Sequence, residues 1–80
     1  MPYIPAADRF RLAKGGGALT MGELNFQLTR IVMDYLRASG RCYATMNDIV
    51  GALECAKAEF IRRVVAPYED AKCAEHGDVY

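Results

Sequence analysis

Two adjacent arginines, Arg62 and Arg63, stand six and five residues before Tyr68, inside the stretch Glu59-Phe60-Ile61-Arg62-Arg63-Val64-Val65-Ala66-Pro67-Tyr68-Glu69-Asp70. Guanidinium forks match phosphate oxygens in two-point contacts. An aromatic ring nearby offers a face for a base. Together they are the smallest kit for a nucleotide. They are also ordinary in protein interfaces, where Tyr and Arg are enriched. Arg63 has a plainer partner in Glu59, four residues earlier on a helix. On residues alone an interface is favoured over a nucleotide pocket.

Other chemistry has weaker footing. Cys73 and His76 are three apart and could share an ion, but zinc usually takes three or four protein ligands and no others are placed there. His76 is the only histidine, and no nucleophile motif surrounds a cysteine. Glu69 and Asp70 are neighbours, which on a helix point about 100° apart and do not converge. Gly15-Gly16-Gly17 lacks the Lys-Ser or Lys-Thr pair of a phosphate-cradling loop. The expectation is no catalytic residue, no metal, no cofactor and no enzyme.

The chain has 80 residues, ten basic and ten acidic, with three cysteines. A domain this small has a marginal core, and such chains often lean on a partner subunit. Its 52% apolar content lies above the usual ~45–50%. A neutral chain is a poor match for long DNA or RNA, whose binders are strongly basic. An odd cysteine count without CxxC spacing suggests a reducing cytoplasm. The start resembles no signal peptide, and no run approaches the roughly 20 apolar residues of a membrane span. Basic residues cluster at the start (Arg9, Arg11, Lys14) and acidic ones at the end (Glu69, Asp70, Glu75, Asp78). Those termini either attract one another or are simply solvated.

The positioning elements read as all-α. Residues 1–19 form an arm with Tyr3 and Ile4, a short helix over 6–14 and a flexible glycine linker. Thr20 to Glu23 is a capping box opening a helix over 20–40, which Gly40 stops. Leu24, Leu28, Ile31 and Tyr35, widened by Val32 and Leu36, form its core-facing stripe. Phe26 and Met33, with Arg30 and Arg37 beside them, lie on roughly the opposite side, and two apolar faces suggest an interface or a ligand patch. A cap at Thr45 to Asp48 opens a long helix to residue 66, with Ile49, Leu53, Phe60 and Val64 on one face. Gly51, Cys55, Ala58 and Arg62 share another. Pro67 ends or kinks that helix and starts a separate one over 67–76, before a tail at 77–80. The predicted fold is a single domain over 1–80: a small hairpin of two main antiparallel helices with short flanking helices, assembling as an oligomer.

The chain resembles a family of small bacteriophage-encoded proteins. The likeness rests on Pro2-Tyr3-Ile4 with Arg9, Gly22-Glu23-Leu24-Asn25, Tyr43-Ala44-Thr45 with Asn47-Asp48, and Gly51-Ala52-Leu53. Its most distinctive part is Glu59-Phe60, Arg62 through Asp70, Lys72 and the closing Gly77-Asp78-Val79-Tyr80. That family is similar to viral anti-CBASS sponges, which sequester cyclic nucleotide signals of bacterial immunity. The resemblance implies an immune-evasion protein in the cytoplasm of the infected host, a homo-oligomer with a tetramer favoured, binding a cyclic dinucleotide such as cGAMP without hydrolysing it. Arg62 and Arg63 would take phosphate, Tyr68 and Tyr43 would stack on bases, and Asn25 and Thr45 would make polar base or ribose contacts. The first helix is shorter than the family pattern, with Gly15-Gly16-Gly17 where helix is expected. The competing expectation is a small helical oligomer that binds a protein partner and no nucleotide.

Overall fold

The computed structural model describes residues 4–80; of the predicted N-terminal arm, Met1, Pro2 and Tyr3 lie outside the described residues. Every regular element is helical: α1 over Ala6–Ala13, α2 over Met21–Ser39, α3 over Tyr43–Phe60, a π-helical turn over Ile61–Val65, and α4 over Ala66–His76. No helix among the described residues is long and apolar enough to cross a membrane. The chain divides into two compact units, Met1–Thr45 and Met46–Tyr80.

The first unit is built on a latch. Thr20 caps α2, its hydroxyl accepting from the Glu23 amide at 3.1 Å. That half of the predicted capping box is present. The Glu23 side chain does not return to the cap residue; its Oε1 accepts from the Leu19 amide at 2.9 Å and from Arg11 Nη2 on α1 at 2.6 Å. Arg11 Nη1 then donates to the Gly17 carbonyl at 2.7 Å, and Gln27 Nε2 to the Gly16 carbonyl at 2.8 Å. The glycine stretch predicted as a flexible linker is therefore fastened at two carbonyls. Gly16 is required there, because a Cβ would stand 2.8 Å from Arg11 Cγ and 3.0 Å from the Arg11 carbonyl oxygen. The buried apolar residues among those described are Ile4, Leu12 and Leu36, all in this unit.

This latch decides which face of α2 is covered. Arg11 meets Glu23, and Arg9 shares a cleft with Met33 and Arg37, so α1 runs antiparallel to α2. It lies over the side carrying Glu23, Phe26, Arg30 and Met33. The predicted core stripe sits roughly 150° away around the helix. Leu24, Leu28, Ile31 and Tyr35 are exposed by 51, 45, 66 and 46%, while Leu36 alone of that set is buried and Val32 is half-buried. The polar bonds of the latch override the apolar pattern, because leaving a desolvated carboxylate unpaired costs more than leaving a leucine wet.

At the end of α2, Gly40 has φ +99°, a backbone that side-chain-bearing residues rarely adopt, and its amide closes on the Leu36 carbonyl at 2.9 Å. The predicted cap at Thr45 is corrected: α3 already begins at Tyr43, and Thr45 lies buried in its first turn. Its hydroxyl faces the Ser39 carbonyl at 3.5 Å and Cys42 Sγ at 3.4 Å, so it holds the turn instead of opening the helix.

The second unit is a helix carried through Pro67, which sequence places as an end or kink. Proline has no amide proton and crowds the carbonyl four residues back, here that of Arg63. The turn before it widens instead of breaking. The Ala66 amide reaches back five residues to the Ile61 carbonyl, and Pro67 falls in the first turn of α4. Gly77, with φ +89°, ends the helix by donating to the Cys73 carbonyl at 2.8 Å. Within this unit no second element lies on the helix, and Val50, Leu53, Phe60 and Val64 are exposed.

The latch has a pH signature. The Leu19 amide first, then Arg11, hold the Glu23 carboxyl below its ordinary value. Its stabilising contribution is present above the unfolded value of about 4.3 and is lost as pH falls through the lowered folded value. Glu23→Gln should therefore melt at a temperature that changes less between about pH 5 and pH 3 than wild type does. Parallel circular-dichroism melts check this; identical slopes for both proteins would contradict it.

Candidate functional site

The π turn sets the candidate site. A π turn inserts one extra residue into a helix and recurs at functional sites. Here it carries both Arg62 and Arg63. Sequence paired only Arg63 with Glu59. The structure gives Glu59 to both: Arg62 Nε and Nη2 reach its Oε1 at 3.1 and 2.8 Å, Nη2 also reaches Oε2 at 3.0 Å, and Arg63 Nε lies 3.4 Å from Oε2. Two guanidiniums thus converge on one carboxylate. The side chains are about half or more exposed, so this is an exchangeable surface pair rather than a buried one.

Tyr68 is exposed on α4, with Lys72 Nζ 5.5 Å from its ring centroid. That contact adds a cation to the aromatic, one turn beyond the arginines. The sequence assigns Lys72 to the resemblance but not to the site; its signal was the four-residue spacing from Tyr68. Asn25, Tyr43 and Thr45 belong to the first unit. Tyr43 is exposed by 87% at the start of α3. Asn25 is exposed on α2, and its carbonyl accepts from the Thr29 hydroxyl at 2.9 Å. Thr45 is buried and its hydroxyl faces Ser39 and Cys42.

Cys73 is half-buried on α4, and His76 Nε2 lies 3.3 Å from Glu75 Oε1. Among the described residues no group of three or more His, Cys, Asp or Glu side chains could hold a metal ion.

The first unit carries a separate open cleft of about 420 Å³ between α1 and α2, lined by Arg9, Phe26, Arg30, Met33, Asp34 and Arg37 along with Thr29. Sequence placed Phe26, Met33, Arg30 and Arg37 together. Arg9 joins them only through the packing of α1, which no spacing within α2 could indicate.

Among known proteins, a family described as Domain of unknown function (DUF6899) matches residues 1–79. Neither the curated proteins nor the solved structures gave a significant match.

Because the Glu59 pairs are exposed, Glu59→Ala should lower the stability of the protein by less than about 1 kcal/mol. Thermal unfolding at matched concentration checks this; a loss well above that would show the carboxylate to be desolvated.

Proposed function

We propose that this chain, which belongs to the DUF6899 family, is a bacteriophage immune-evasion protein that sequesters a cyclic oligonucleotide signal. The ligand is a cyclic dinucleotide such as cGAMP, held without hydrolysis in the cytoplasm of the infected bacterium. The observation that carries this reading is the convergence of Arg62 and Arg63 on a single exchangeable carboxylate, one turn from an exposed Tyr68. A cyclic dinucleotide has two phosphates, so a few arginines suffice and a strongly basic chain is not needed. In the proposed complex a phosphate replaces Glu59 on the two guanidiniums. Tyr68, with Lys72 behind its ring, and Tyr43 stack on bases. Asn25 supplies a polar base or ribose contact. Thr45 acts indirectly, fixing the turn from which Tyr43 projects.

The exposed stripes support the proposed homo-oligomer. Leu24, Leu28, Ile31 and Tyr35 on α2, and Val50, Leu53, Phe60 and Val64 on the long helix, are apolar rows of the kind that subunits cover. In the proposed assembly, a tetramer, neighbouring subunits cover these rows. A second reading draws on the same observation: arginines already satisfied by Glu59, beside wide apolar faces, also suit a small helical interaction protein that binds a protein partner and no nucleotide.

Titration calorimetry with cyclic dinucleotides and trinucleotides separates the two. The proposed function predicts saturable binding, recovery of intact ligand by chromatography, and loss of binding in Arg62→Glu with unchanged helicity. No binding across the panel, or full affinity in Arg62→Glu, would sink it and leave the protein-binding reading.

A further inference from the structure

The cleft between α1 and α2 holds a charge arrangement that the fold does not use. Three guanidiniums, Arg9, Arg30 and Arg37, face one carboxylate, Asp34. Arg37 is answered by Asp34 at 3.0 Å. Arg9 and Arg30 have no ion-pair partner among the described residues, although the chain as a whole has equal numbers of acids and bases. A cleft with a net excess of one sign of charge, here two guanidiniums beyond the Arg37–Asp34 pair, concentrates counter-ions. Phe26 and Met33, both half-buried, give the same cleft an apolar wall. Its volume of about 420 Å³ falls in the range of roughly 300–1,000 Å³ that small-molecule sites occupy.

The geometry is set from two sides. Phe26, Arg30, Met33 and Arg37 follow one another at spacings of four, three and four, so they line one face of α2. Arg9 comes from α1, whose place is fixed two residues on by the Arg11–Glu23 bond. We propose that this cleft is a separate ligand site for a small organic phosphate of nucleotide type, its phosphate on Arg9 and Arg30 and its ring against Phe26 and Met33. It uses none of Arg62, Arg63 or Tyr68 and does not rest on the cyclic-nucleotide reading.

The probes are AMP, adenosine and inorganic phosphate, titrated separately into the full chain at low salt. AMP should bind saturably, and at least about tenfold more tightly than either fragment, since both halves of the cleft contribute. Arg9→Ala and Arg30→Ala should each weaken AMP by about tenfold or more, the worth of a charge-assisted hydrogen bond. Both side chains belong to exposed residues, so circular dichroism should show folded variants. Arg41→Ala, an exposed arginine outside the cleft, should leave AMP affinity within about twofold. Failure of AMP to saturate, or equal losses in Arg30→Ala and Arg41→Ala, would overturn the proposal.

Discussion

Glu23 is the point on which the first unit depends. One carboxylate oxygen receives the amide that opens the approach to α2 and the guanidinium of α1, while the residue's own amide is held by the Thr20 cap. With an eight-residue α1 and three buried apolar residues among those described, hydrophobic burial alone gives little orientation. Directional bonds to a shielded carboxylate supply it, since each has a narrow geometry and a large cost when left unmade. The consequence reaches past the latch itself. By fixing α1 over the Phe26–Met33 side, it turns the leucine stripe of α2 outward and brings Arg9 beside Arg30.

The second unit obeys a different constraint. Pro67 removes one amide from the helical ladder, and the chain answers by widening the preceding turn into a π segment. That turn holds the only adjacent arginines, and Glu59 lies one turn before it to receive both. A proline that sequence reading treats as a terminator thus acts to present a charged pair. A lone helix with an exposed apolar row is marginal in water, because most helical stability in proteins comes from packing of such a face. The proposed oligomer supplies that packing, and it would place Arg62, Arg63 and Tyr68 close to subunit boundaries.

Much of the fold was legible in the sequence because local chemistry dictates it. The Thr20 cap, the glycine stops at Gly40 and Gly77 and the helical period of α2 each rest on residues within a turn of one another. What was not legible is non-local. No spacing rule shows that Arg11 reaches Glu23 twelve residues away, so neither the fastened glycines nor the outward leucine stripe could be read. Thr45 looked like a cap because its neighbours fit the pattern, yet the tight turn after Gly40 starts α3 earlier and encloses it. Arg62, Arg63 and Tyr68 were singled out by residue type and spacing, but the sharing of Glu59 and the contact of Lys72 with the Tyr68 ring needed the structure. The cleft was half visible: four of its members share one face of α2, and Arg9 arrives through tertiary packing.

In the proposed oligomer the exposed apolar rows are subunit contacts, and the long helix is held by them. The most direct measurement is sedimentation equilibrium with circular dichroism on the same samples, over about micromolar to millimolar protein. The result expected is a defined oligomer at high concentration, with mass and helical signal falling together on dilution and a melting temperature that rises with concentration. A monomer at every concentration, keeping its full helical signal, would contradict it.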